Sequence, residues 1–114
     1  MKQLVARTSE QVTACKDLIL RLRPDLNEND YLNLLMNMME EESFKLVYIP
    51  NDGGVNAAAF IGYRTMYLLQ QGWVMYIDGQ YTDPQYQGRG YTGSLLDFAA
   101  QEAREAGIQF IHLD

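Results

Sequence analysis

The spacing of apolar residues switches along the chain between a strand period and a helical one. Residues 2–6 (KQLVA) have strand character. Thr8 and Gln11 stand at capping-box spacing. Val12, Cys15, Ile19 and Leu22 then share one face, predicting a helix that Pro24 ends. Asn27 with Asp30 offers a second helix start. Tyr31, Leu35 and Met38, beside Leu34 and Met39, give that helix a broad apolar face as far as about Glu42. Residues 44–50 (FKLVYIP) are dense in strand formers. Asn51-Asp52-Gly53-Gly54 is a hairpin turn, returning a partner strand from Val55 to near Met66. A connection around Gln70, Gln71 and Gly72 leads to a third strand, Trp73 to Thr82, where Trp73, Met75 and Ile77 alternate with Val74, Tyr76 and Asp78. A last helix runs to about Ala106 with Gly107 as its C′ residue, and 108–113 is a final strand.

The predicted order is β-α-α-β-β-β-α-β, an α+β fold with helices packed on a mixed sheet. The first strands form an antiparallel meander. The closing strand-helix-strand is a βαβ unit, which gives a parallel pair with a right-handed crossover. A length of 114 residues supports one domain over 1–114 with one core.

Hydrophobic content of 47% with 21% charged residues fits an ordinary globular protein. No apolar stretch is long enough to predict a membrane span, and Arg7, Ser9, Glu10 and Gln11 break up the N-terminus, so no leader is expected. Cys15 is the single cysteine, which excludes an internal disulfide and makes the cytoplasm the expected location. A net charge of -6 argues against nucleic acid as a partner. It favours cationic small molecules or basic peptides by steering, although it also serves solubility. Cys15 on its apolar face reads as core packing, and Met36, Met38 and Met39 as a core stripe rather than a metal site. Glu40, Glu41 and Glu42 crowd a helix C-terminus, where the macrodipole disfavours them; they are either a solvated end or an acidic rim for an amine.

The segment Gln87-Gly88-Arg89-Gly90-Tyr91-Thr92 carries the chemistry. Two glycines around an arginine suit a tight turn. They also suit an anion cradle, because a helix start exposes unpaired N–H groups and partial positive charge. Gly88 and Gly90 would let backbone amides approach a phosphate, and Arg89 and Gln87 could add side-chain contacts. The segment is neither a dinucleotide fingerprint nor a P-loop, since the further glycine and the Gly-Lys-Ser/Thr ending are absent. Its context strengthens it: strand, Asp83-Pro84 loop, glycine segment, amphipathic helix, strand.

At these residues the sequence resembles the GNAT superfamily of N-acetyltransferases, whose motif is Arg/Gln-x-x-Gly-x-Gly/Ala. Thr92 departs from the last position, and Gly93 follows one residue later, consistent with a slightly displaced helix start. The resemblance follows the whole chain in element order and is strongest from Tyr76 to the ending "IHLD". It implies that the amides from Gln87 to Thr92, with Gly93, hold the pyrophosphate of acetyl-CoA as co-substrate. It implies that the strand edge at Gln80, Tyr81 and Thr82 pairs with the pantetheine arm, in a cleft where that strand splays from 108–113. A backbone N–H near Tyr81 would polarise the thioester carbonyl. The implied reaction is acetyl transfer to a primary amine of a small molecule or protein, which needs a route for the amine proton. Asp78 is the candidate base, against the alternative that it satisfies neighbouring groups. His112 reads as structural before basic, and Tyr76 and Tyr81 as strand residues before substrate wall.

GNAT domains usually add a helix and two strands after this point, often including a tyrosine that protonates the leaving thiolate. On that resemblance the chain is expected to be a shortened form, with the last strand on an exposed edge through which two copies pair. The second functional class is a non-catalytic module, either binding CoA on a degenerate GNAT fold or serving protein interaction.

Overall fold

The run Leu46-Val47-Tyr48-Ile49 does not alternate with polar residues because both its faces are covered. In the computed structural model, which describes residues 2–113, it lies in β2 (Lys45–Pro50). Leu46 and Tyr48 point into one apolar cluster, and Val47 and Ile49 into another on the opposite face. The five-stranded sheet has the order β1-β2-β3-β4-β5, with β1 at Leu4–Val5, β3 at Ala57–Leu68, β4 at Gly72–Thr82 and β5 at Phe110–Leu113. All neighbours are antiparallel except β4 and β5, which are parallel. This is the expected α+β architecture.

Three helices cover the first face: α1 (Ser9–Ala14), α2 (Lys16–Leu22) and α3 (Tyr31–Glu41). The capping box forms as predicted, with Gln11 N–H donating to Thr8 Oγ1 and the Gln11 side chain accepting from Thr8 N–H. The buried Tyr31 hydroxyl donates to the Val12 carbonyl at 2.8 Å and ties α3 to α1. Cys15 is fully buried, and desolvation pushes its thiol up to about 12. It therefore carries almost no thiolate at neutral pH and serves as core packing.

On the second face lies α4 (Tyr91–Glu105). Leu95, Ala99 and Ala103 recur every fourth residue and are buried against β2, β3 and β4. The two alanines let the helix sit close to the sheet. Glu102 fixes its rotation, accepting from Tyr63 Oη at 2.8 Å and from Lys45 Nζ at 2.9 Å.

Several boundaries differ from expectation, three of them with a cause in the structure. The helix predicted through Leu22 breaks at Cys15, whose N–H bonds back to Val12 and Thr13, and α2 restarts at Lys16 with Leu22 41% exposed. Asn27 caps a short 3₁₀ turn (Glu28–Asp30) rather than α3 directly. Val55 is exposed instead of opening a strand, because the hairpin closes through Asn51 N–H to the Asn56 carbonyl and takes Val55 into the turn.

Candidate functional site

β4 controls the site because its two halves are paired differently. From Val74 to Ile77 it has β3 on one side and β5 on the other. From Asp78 to Thr82 only the β3 side is paired among the described residues. The change coincides with a β-bulge. Gly62 pairs with Gly79 and Tyr63 with Ile77, so Asp78 is the extra residue. A bulge turns the side chain out of the regular alternation, and Asp78 lines a cleft of about 490 Å³ between the sheet, α2 and α3.

Asp78 is held there. Its Oδ2 accepts from Arg64 Nη2 at 2.6 Å, and Arg64 Nη1 also donates to Glu42, beyond the end of α3. The guanidinium lies over the Phe44 ring, 5.3 Å from its centre. Phe44 in turn fills the space that a side chain at Gly62 would need, since a Cβ there would come within 2.6 Å of the ring. Sequence reading passed over Arg64 and Phe44. The signal was a lone arginine in an otherwise apolar strand, two turns of the chain away from an acidic helix end.

Along the free edge, alternate backbone groups face outward. Asp83 N–H donates to the Ala58 carbonyl, and the register places Tyr81 opposite Phe60 in the same bonded sense. In this register the N–H of Tyr81 faces β3 while its side chain packs on the first core cluster, and the outward-facing groups near it are those of Gln80 and Thr82. Among the described residues the buried Gln80 side-chain oxygen has no hydrogen-bond partner, which is costly for an amide unless a ligand supplies a donor.

The glycine segment follows a 3₁₀ turn (Pro84–Tyr86) capped by Asp83. Gly88 has φ 83° and Gly90 has φ 81°, the left-handed region that favours glycine. Gly90 is the N-cap of α4, and the first intrahelical bond is Ser94 N–H to the Gly90 carbonyl. Among the described residues no backbone carbonyl takes the N–H groups of Gly88 through Gly93. The helix starts at Tyr91, with Thr92 and Gly93 exposed in its first turn. Tyr86 anchors the loop: buried, its hydroxyl accepts from Asp52 N–H, Tyr91 stacks on its ring, and the Arg89 guanidinium lies 4.8 Å from its centre. Gln87 is exposed at the end of the turn. Thr82 and Thr92 hydroxyls meet at 2.8 Å, joining the free edge to the helix start.

The structure thus brings together Gln80, Thr82 and the run Gln87 to Gly93, with Asp78 on the cleft at the bulge. His112 is placed elsewhere, its Nε2 beside Gln71 Oε1 at 2.9 Å. Among the described residues no group of three metal-ligating side chains occurs, and no helix is long and apolar enough to cross a membrane.

The sequence profile of the acetyltransferase (GNAT) family matches residues 12–114. The chain belongs to the GNAT acetyltransferase family. The uncharacterized N-acetyltransferase YhdJ of Bacillus subtilis is 27% identical over 113 residues, which is 99% of this chain and 77% of YhdJ. Among solved structures, an acetyltransferase of Trypanosoma brucei superposes with a TM-score of 0.81 at 18% identity, covering 99% of this chain and 81% of that one. A predicted acetyltransferase of Clostridium acetobutylicum, solved with acetyl-CoA, gives 0.75 at 16% identity over 99% and 80%. These structures establish the GNAT fold.

Within this GNAT domain the Arg64 network yields a first prediction. Arg64→Met leaves Asp78 and Glu42 facing one another without a cation. It should cost about 1–2 kcal/mol in urea unfolding, less than for a fully buried pair because both carboxylates keep contact with water. A double-mutant cycle with Asp78→Asn should show positive coupling between the two positions. Additive effects would mean that Arg64 does not hold Asp78.

Proposed function

We propose that this chain is an acetyl-CoA-dependent N-acetyltransferase that acts on a primary amine. The observation that carries the proposal is the continuity between the unpaired edge of β4 and the six successive N–H groups, Gly88 through Gly93, that find no backbone acceptor. In this reading the N–H groups of that run bind the pyrophosphate of acetyl-CoA, with Gln87 and Arg89 at the rim. The outward backbone groups of Gln80 and Thr82 pair with the pantetheine amides, and the orphaned Gln80 Oε1 accepts from one of them. Acetyl-CoA supplies an activated thioester, whose acetyl group passes to the amine nitrogen as the C–S bond breaks.

The chain's own part is to place the amine. With Oδ2 of Asp78 bound to Arg64, the role of base narrows to Oδ1, which receives the amine N–H and its proton. In this reading the oxyanion role expected of a backbone N–H near Tyr81 falls to whichever outward N–H, of Gln80 or Thr82, the pantetheine leaves free. A non-catalytic CoA-binding module is the second reading; the commitment of one Asp78 oxygen to a salt bridge is what favours it.

The two readings separate on acetyl transfer, followed by mass spectrometry with acetyl-CoA and a panel of amines. Acetylated amine supports the enzyme, and binding without product supports the module. Gly90→Val tests the cradle. No atom lies within 4 Å of a Cβ at Gly90, so the core is not disturbed, but a β-branched residue resists φ 81°. The variant should keep its circular dichroism spectrum and bind acetyl-CoA at least about tenfold more weakly, since the misplaced amides lose more than about 1.4 kcal/mol. Unchanged affinity would leave the glycines as a turn only.

The partner expected at the last strand is also a proposal. β5 ends the sheet order, and Phe110, Ile111 and Leu113 are each at least 40% exposed along it. An apolar, unpaired edge favours addition of a second strand, so two copies of the chain pair through β5. Light scattering should show mass rising toward a dimer with concentration, and Ile111→Lys should abolish the rise. A single monomeric mass throughout would refute the pairing.

A further inference from the structure

The cleft at Asp78 is chemically lopsided. Its apolar wall is Leu22, Leu26, Leu34 and Met38 on the side of α2 and α3, with Phe44 before β2 and Phe60 on β3. Leu22 and Leu34 are 41% and 39% exposed, so the wall is open to a ligand rather than closed by packing. At the sheet end stands the trio Glu42, Arg64 and Asp78, in which two carboxylates share one guanidinium and leave one negative charge. Among the described residues that line the cleft the basic side chain is Arg23, already paired with Asp25 by two hydrogen bonds of 3.0 and 3.1 Å. A phosphate or carboxylate on the ligand therefore finds no unpaired cation there. Hydroxyl groups along the wall would face leucine, methionine and phenylalanine and lose their hydrogen bonds to water. A cationic nitrogen meets opposite charge at Asp78, and an apolar body meets apolar wall.

We infer that the acceptor is a small primary amine carried on an alkyl chain or aromatic ring, with its nitrogen at Asp78 and its body along Leu22, Leu34 and Met38. The inference rests on the acetyltransferase reading for the word acceptor, while the binding preference rests on the cleft alone. Asp78 here sets position and charge, and the leucines of α2 and α3 set specificity.

The test is calorimetric titration of n-butylamine, n-hexylamine, phenethylamine, ethanolamine and glucosamine 6-phosphate into the 114-residue chain, with and without saturating CoA. Affinity should rise about fourfold per methylene in the alkyl series, the equivalent of about 0.8 kcal/mol. Ethanolamine and the amino-sugar phosphate should bind roughly tenfold or more weakly than hexylamine, since they bring unpaired polar groups to the wall. Leu22→Gln and Leu34→Gln, both at partly exposed positions, should fold normally and flatten the alkyl series. Asp78→Asn should weaken all the amines alike and leave the slope unchanged. Affinities independent of chain length, or polar amines binding as tightly as hexylamine, overturn the inference. A steep alkyl series in a chain that does not bind CoA upholds the amine cleft and removes the acetyltransferase reading. CoA binding with a flat series upholds that reading and removes the inference.

Discussion

The proposed function depends on a strand, β4, that among the described residues is paired on both sides only from Val74 to Ile77. A strand within a sheet satisfies its outward N–H and C=O groups with its neighbours, and an unpaired edge seeks a partner. Among the described residues β4 has no second neighbour beyond Ile77, where the bulge inserts Asp78. The backbone groups beyond that point are available to an extended ligand, and the displaced side chain reaches the cleft. In the proposed function the same five residues serve as a binding edge and a charged anchor.

The two layers of helices serve the two ends of that edge. α4 lies on one face with its start beside Thr82, joined to it by the Thr82–Thr92 hydroxyl contact. Among the described residues its N-terminal amides have no backbone acceptor, as in the first turn of any helix, and Tyr86 fixes the preceding loop by stacking on Tyr91 and by its hydrogen bond from Asp52. α2 and α3 lie on the other face and wall the cleft with apolar side chains, while the end of α3 sends Glu42 to Arg64. An anionic ligand is suited on one face and a cationic, apolar one on the other, which is the polarity that acyl transfer from a CoA thioester to an amine requires.

Periodicity along the chain was enough for the fold. The alternation in β4, the unbroken apolar run of β2 and the alanine-leucine repeat of α4 each report a local environment, and each appears in its predicted element. The glycine segment was legible for a related reason, since a positive φ leaves its trace in residue type. The Arg64–Asp78 pair was not legible, because fourteen residues and a turn separate partners that only the β3–β4 register brings together. The direction of the Tyr81 N–H was hidden too. It depends on bonding phase within the ladder, and nothing in residue identity records that phase. The break at Cys15 was hidden as well, because the apolar spacing continues across it.

The central claim is that the unpaired amides at the start of α4 bind the pyrophosphate of CoA. Calorimetric titration of acetyl-CoA, dephospho-CoA and pantetheine into the chain tests it most directly. The account predicts that acetyl-CoA and dephospho-CoA, which share the pyrophosphate, both bind, and that pantetheine, which lacks it, binds far more weakly. Pantetheine binding as tightly as acetyl-CoA, or no binding of acetyl-CoA at all, would contradict it.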